Sequence, residues 1–263
     1  MRERRQSKNL VQCLAAVWLC SGGKAEQGFA GAALQPTLVP RFGFRARLKP
    51  SVRHHREDRN MAMTLEPDVL KGIAGTALFY PCCGQDLELS IRLFASAVSD
   101  FYFVDIRRPR RPELHDIAQF KSTVRRSSAG ADTFVHLASE HEFRLHRWQR
   151  CGEDVLQELP KLGVFFFRGD NPVDGEGSSG VLWLGGELFW HILALLVPGG
   201  LVVTDGSNPG PYGPKHLSDF YHNRDIRDRA TSAAAPFDYR GRRFTCVGYA
   251  GEKNGPTLIW QVA

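Results

Sequence analysis

Short runs of apolar residues alternate with amphipathic stretches between residues 61 and 263. Four of these runs are almost entirely apolar, which is typical of strands buried on both faces of a parallel sheet: Ala77–Tyr80, Phe101–Val104, Val164–Phe167 and Leu201–Thr204. In Glu142–Trp148, polar and apolar residues alternate up to His146, which predicts a half-buried strand. We take it as the third strand of the sheet.

Between the strands, apolar residues at helical spacing or polar connections predict four helices: Leu87–Ser99, Asp154–Leu159, Gly186–Val197 and His216–Ala230. Thr133–Leu137 is a weaker strand candidate, and Phe244–Tyr249 with Thr257–Val262 predicts a β-hairpin. The fold class predicted from this order is α/β. The expected form is a three-layer sandwich with a mostly parallel, doubly wound sheet and an antiparallel C-terminal hairpin at one edge.

Residues 1–60 show no sustained helical or strand period, so we predict a basic extension there and a single domain over residues 61–263. A basic start followed by the apolar run Leu10–Cys20 fits a secretory signal, and the richness in Arg fits an organelle transit peptide. A disordered tail is a third interpretation, and translation from Met61 or Met63 is a fourth. The apolar run has eleven residues, whereas a membrane span needs about 20.

The net charge of +6 belongs to this extension. Residues 1–60 hold 12 Lys and Arg against 4 Asp and Glu, whereas residues 61–263 hold 22 against 24. The predicted domain therefore has no overall positive field, which disfavours nucleic acid as a partner. None of the six cysteines forms a CxxC pair or a cluster with histidine at zinc spacing, so we expect reduced thiols, a cytoplasmic location and no metal site.

The loop after the first strand, Tyr80–Asp86, leads into a predicted helix and contains Pro81, Cys83 and Gly84. Asp105 ends the second strand 21 residues after Gly84, the spacing of a carboxylate that binds a ribose hydroxyl in nucleotide-binding sheets. The alternatives are that Gly84 only makes the turn, that Asp86 only caps the helix, and that Asp105 is a solvated strand end.

Electrostatics narrow the choice of nucleotide. The loop lacks G-x-G-x-x-G, and Asp86 would repel a pyrophosphate but attract a cation. S-adenosylmethionine carries a sulfonium and an ammonium but no phosphate, so it suits this loop better than NAD. Arg107–Arg111 could hold the 2′-phosphate of NADP, or could form a solvated surface loop.

Over Ala77–Ala263, the order of these features resembles the class I S-adenosylmethionine-dependent methyltransferases. The matching features are a strand, a Cys-Gly loop, a helix, a strand ending in Asp, Gly-Glu-Asp, a strand followed by Asp-Asn-Pro, Leu-Val-Pro-Gly-Gly, a strand and a final hairpin. The resemblance implies that the Cys83-Gly84 turn lies against the methionine part and that Asp105 binds the ribose. It also implies that Glu153 or Asp154 lies near the adenine amine.

The same resemblance places Asp170 and Asn171 where amino-directed members bind the target nitrogen, so these two are the candidate catalytic residues. The chain departs from the family at several positions. Tyr80 replaces the usual acid at the end of the first strand, Cys82 and Asp86 replace two loop glycines, and Val173 replaces an aromatic residue.

These observations predict a methyltransferase with a small-molecule or protein acceptor that the sequence does not identify. A related domain that has lost catalysis and serves as a binding or scaffold module is the alternative. A third hypothesis is hydrolysis by a thiol at Cys82 or Cys83, activated by the start of the following helix.

Overall fold

The computed structural model describes residues 65–109, 114, 119–123, 131–168, 181–207, 213–218, 235–250 and 257–263, all within the compact unit Arg56–Ala263. Within these residues, ten strands form one sheet: β1 Ala77–Pro81, β2 Asp100–Asp105, β3 Phe120–Thr123, β4 Ala131–His136, β5 His141–Gln149, β6 Leu162–Phe167, β7 Leu196–Thr204, β8 Phe237–Tyr239, β9 Arg242–Ala250 and β10 Thr257–Val262. The helices described are α1 Pro67–Gly72, α2 Glu88–Phe94, α3 Gly186–Leu195 and α4 Lys215–Ser218, with a 3₁₀ turn at Glu153–Val155.

The strands lie in the order β3-β4-β5-β2-β1-β6-β7-β10-β9-β8. The five central strands from β5 to β7 pair in parallel, and antiparallel strands flank them on both sides. β1 therefore lies near the middle of the sheet, and all five of its residues are buried. This arrangement brings the ends of several distant chain segments to one edge of the sheet.

The predicted fold class is wrong. Antiparallel neighbours outnumber parallel ones, so the sheet is mixed rather than mostly parallel. Among the described residues the longest helix has ten residues, and the expected helix Asp154–Leu159 is only a three-residue 3₁₀ turn. The C-terminal hairpin exists as β9 and β10, but β8 lies outside it at the sheet edge. The fold is therefore not a helix-rich three-layer sandwich.

The fold class was predicted wrongly because the strands that flank the five central ones carry little sequence signal. Continuous apolar runs mark strands buried on both faces, and the strands predicted this way are present at β1, β2, β6 and β7. β3 and β8 have only four and three residues, so their sequences carry almost no periodic signal. Pro198-Gly199-Gly200, expected to separate a helix from a strand, lies inside β7, which starts directly after α3.

Apolar residues cover both faces of the central strands. Leu78 and Tyr80 of β1 pack into a core with residues of α1 and α2, whereas Phe79 packs into a second core with residues of α3. The alternation follows from the two-residue period of a strand. No helix within the described residues is long and apolar enough to cross a membrane.

A polar cluster joins the start of β2 to β5. Asp100 accepts hydrogen bonds from the Ser99 hydroxyl at 2.9 Å and from Arg144 Nη2 at 3.1 Å, and its Oδ1 lies 2.8 Å from His146 Nε2. Burial by itself would raise the pKa of Asp100, but the hydrogen bonds from His146, Ser99 and Arg144 outweigh it and hold that pKa below its usual value. Folding therefore favours the ionised carboxylate.

This cluster predicts a loss of stability in acid. Because the folded-state pKa of Asp100 is lowered, its contribution is fully present above the unfolded pKa of about 3.9 and is lost as the pH falls through the folded value. Urea unfolding of wild type and Asp100→Asn should therefore differ most above about pH 4, and the difference should shrink at lower pH. A difference that stays constant down to about pH 2.5 would contradict the assignment.

Candidate functional site

The candidate site lies at the point in the sheet where the strand order changes direction. From β1 the chain continues to β2 and β5 on one side of the sheet, and later to β6 and β7 on the other. In such sheets ligands bind outside the carboxyl ends of the strands where the order switches. Here that place lies between the ends of β1 and β6, at Pro81 and Phe167.

The loop after β1 is a tight turn with an unusual backbone. Cys82 and Gly84 both have φ of +52°, and the Asp86 N–H donates to the Cys83 carbonyl at 3.1 Å. Gly84 adopts the left-handed region without a steric penalty, whereas the same conformation at Cys82 stores strain. Asp86 does not cap α2, because the N-cap is Leu87 and it receives no side-chain cap.

Asp105 holds this loop from the end of β2. Its Oδ2 accepts the Gly84 N–H at 2.9 Å, and its Oδ1 accepts the Arg107 N–H at 2.8 Å. The two residues that the 21-residue spacing singled out therefore meet at the switch point. Asp105 thus ends β2 as a half-buried residue whose carboxylate is bonded to the loop.

The side chains of Tyr80, in β1, and Cys83, in the loop that follows it, are buried. Tyr80 is buried, and its hydroxyl donates to the Arg168 carbonyl at 3.3 Å. Burial raises the pKa of the Tyr80 phenol, so the group stays neutral where an acid was expected. Burial also raises the pKa of the Cys83 thiol, followed by the effect of Asp105, which is the opposite of the activation that thiol hydrolysis at Cys83 would need.

An ion pair spans the switch point. Asp86 Oδ2 lies 2.9 Å from Nε of Arg168, the residue that directly follows β6. Arg168 Nη1 donates in turn to the Thr257 hydroxyl at the start of β10, at 3.2 Å. The cation beside Asp86 is therefore a side chain of the protein itself, and sequence reasoning did not assign Arg168 any role. Its position directly after a buried strand was the available signal.

Trp183 connects the first loop to the segment after β5. Its indole N–H donates to Cys82 Sγ at 3.3 Å. A Cβ on Gly152 would lie 2.6 Å from the Trp183 ring and 3.2 Å from Pro81, so only glycine fits there. Glu153 and Asp154 follow directly and are exposed. The structure thus brings Gly152 against the end of β1, with the two predicted adenine-side residues next to it in the chain.

Buried polar side chains concentrate at the same edge. Seven polar or charged residues are buried among those described, and five of them lie at the ends of β6 and β7 or at the start of β10: Arg168, Thr204, Asp205, Ser207 and Thr257. The Asp205 carboxylate accepts the Ser207 N–H at 2.9 Å. Polar burial is unfavourable in an apolar core, so this concentration is typical of a binding site.

The candidate catalytic residues Asp170 and Asn171 lie outside the described residues. In the described part of the chain, no three His, Cys, Asp or Glu side chains are grouped so that they could hold a metal ion. The sequence matches no protein-family model and no curated protein.

Proposed function

We propose that this chain is an S-adenosylmethionine-binding methyltransferase. The observation that carries the proposal is the 2.9 Å hydrogen bond between Gly84 and Asp105 at the topological switch point. It joins a tight loop after β1 to a carboxylate at the end of β2, which is the pair of elements that holds the ribose end of a nucleotide in sheets of this kind.

The residues fit such a ligand. A carboxylate has about four lone-pair sites, and Asp105 uses two of them for backbone N–H groups, which leaves capacity for two ribose hydroxyls. Glu153 and Asp154 are exposed and directly follow Gly152, which lies against Pro81, and they are the residues proposed for the adenine amine. Asp86 is half-exposed in the first loop, where it is paired with Arg168.

S-adenosylmethionine would supply an electrophilic methyl group. The protein's task is then to hold an acceptor in line with that methyl group at about 3–3.5 Å and to exclude water. Asp170 and Asn171 remain the proposed acceptor-binding residues. We propose a small-molecule or protein acceptor. We also propose a cytoplasmic location, which the reduced cysteines Cys83, Cys151 and Cys246 support.

Calorimetric titration tests the proposal. We expect wild type to bind S-adenosylmethionine at micromolar concentrations, and Asp105→Asn to weaken binding at least about tenfold, because the amide loses the charge and one acceptor that the ribose needs. Asp238→Asn is the matched control, since Asp238 is an exposed carboxylate paired with Arg243 in the β8–β9 hairpin. Absence of heat with wild type, or binding of NAD or NADP instead, would contradict the proposal.

A binding or scaffold module without catalysis is the second candidate. It is supported by the buried, neutral Tyr80 in the position where the acid was expected. Thermal unfolding distinguishes the two candidates, because a ligand at 100 times its dissociation constant adds about 2.7 kcal/mol of stability. The scaffold predicts no change in melting temperature with any adenosyl ligand.

A further inference from the structure

Two aromatic side chains and two arginines meet at the β8 edge of the sheet. The guanidinium of Arg240 lies 5.7 Å from the ring centroid of Trp190 and 5.7 Å from that of Tyr239. Trp190 belongs to α3 but not to its buried face, and it is 37% exposed. Arg242 is the cross-strand partner of Tyr239, so its side chain lies on the same face of the hairpin. We call these four residues the hairpin surface.

The backbone of Arg240 is in a conformation that arginine rarely adopts. Arg240 and Gly241 form the two-residue turn between β8 and β9, with φ of +49° and +76°. Such turns favour Asn, Asp or Gly, because other residues adopt the left-handed region at a cost. Backbone strain of this kind concentrates at functional sites. Arginine therefore supplies a guanidinium here that the turn itself does not need.

This guanidinium is held in place but not neutralised. Among the residues that the structure describes, neither Arg240 nor Arg242 forms an ion pair, and the neighbouring Asp238 is paired with Arg243 at 2.8 Å. The rings attract the positive charge of Arg240 through their faces, which are not carboxylate acceptors. The N–H groups of Arg240 are therefore available for a bidentate contact with an external carboxylate.

The composition of the hairpin surface favours a protein over a nucleic acid as its partner. Trp, Tyr and Arg are the residue types that concentrate in the hot spots of protein interfaces. Nucleic acids attract proteins mainly through many cations around the phosphates, whereas residues 61–263 hold 22 Lys and Arg against 24 Asp and Glu. An acidic segment of a protein is complementary, because its carboxylates match the two guanidinium groups and its apolar side chains cover Trp190.

We propose that the hairpin surface binds an acidic peptide segment of a partner protein, with a carboxylate at Arg240 and an apolar side chain against Trp190. In the sheet, β9, β10 and β7 lie between β8 and β6, so this surface is separate from the site at the ends of β1 and β6. The inference does not depend on the proposed function.

Two labelled peptides that differ only in charge test this assignment. One alternates Glu with Leu, and the other has Gln in place of every Glu. By fluorescence anisotropy with the full chain, we expect the Glu peptide to bind wild type at micromolar concentrations and at least about tenfold more tightly than the Gln peptide. Arg240→Asn keeps a residue that favours the turn but removes the guanidinium, so it should weaken the Glu peptide at least about tenfold and leave cooperative thermal unfolding intact.

Variants of neighbouring residues serve as controls. Arg243→Asn removes an arginine of the same hairpin that is already paired with Asp238, so it should leave the affinity for the Glu peptide within about twofold. Trp190→Ala should weaken the Glu peptide as well, because it removes the apolar contact and one of the rings that hold Arg240. Saturating S-adenosylhomocysteine, the product form of the proposed cofactor, should not displace the peptide.

Several results would overturn the inference. They are no binding of the Glu peptide to wild type, equal binding of the two peptides, and equal losses in Arg240→Asn and Arg243→Asn. Displacement of the peptide by S-adenosylhomocysteine would place it at the switch point instead. Binding of a single-stranded RNA that is tighter than that of the Glu peptide, and is lost in Arg240→Asn, would identify the partner as a nucleic acid and contradict the proposal.

Discussion

Asp132→Ala is expected to lower the free energy of unfolding by about 3–5 kcal/mol. Asp132 Oδ2 lies 3.1 Å from Arg147 Nη2, and the two side chains are only 9% and 13% exposed. The variant leaves the guanidinium of Arg147 in the protein interior without its carboxylate, and desolvation of an unpaired charge is unfavourable. Urea unfolding followed by circular dichroism measures the loss.

Two comparisons isolate the effect of the unpaired charge. Asp132→Leu combined with Arg147→Met removes both charges, so we expect it to recover much of the stability that Asp132→Ala loses. Asp238→Ala breaks an exposed pair with Arg243 and should lower stability by less than about 1 kcal/mol. If Asp132→Ala proves no more harmful than Asp238→Ala, the pair does not stabilise the junction of β4 and β5.

The central strands could be predicted because each carries its own signal. Residues 101–104 and 164–167 are apolar at every position, and the structure buries them or nearly so in β2 and β6. Alternation predicted β5 correctly, next to β2. The predicted fold class was wrong because some elements carry little signal in their local sequence. β3 is only four residues long. Pro160 ends the stretch after Asp154 before a helix can form.

One contact of the candidate site could likewise be predicted from the sequence, and another could not. The spacing of Gly84 and Asp105 predicted that they meet, because Gly84 follows β1 and Asp105 ends the neighbouring parallel strand β2. The partner of Asp86 could not be predicted, since Arg168 is 82 residues further along the chain and only the pairing of β1 with β6 brings it near. In the folded protein the charge of Asp86 is therefore paired with the guanidinium of Arg168, which the sequence around Asp86 does not reveal.

Trp183→Ala is expected to lower the free energy of unfolding by about 3–5 kcal/mol and to disorder the first loop. The ring is fully buried and contacts Phe79 edge-on, with centroids 5.6 Å apart, while its N–H binds Cys82. The variant leaves a cavity under the loop and frees the strained backbone of Cys82. We therefore expect a weaker affinity for S-adenosylhomocysteine as well as a lower melting temperature.

Trp190→Ala is the matched control, because Trp190 lies on α3, is 37% exposed and contacts the guanidinium of Arg240 at 5.7 Å from its ring. Trp190→Ala should lower the free energy of unfolding by less than half as much as Trp183→Ala and leave the affinity for S-adenosylhomocysteine unchanged.

Trp183→Phe separates packing from hydrogen bonding, since it keeps an aromatic ring against Phe79 but removes the donor to Cys82. If ligand affinity depends only on filling the cavity, Trp183→Phe should retain it. If ligand affinity depends on the hydrogen bond that holds the loop at Cys82, it should fall in both Trp183 variants. We expect the second result, because the indole N–H is what joins Trp183 to the residue with the left-handed backbone.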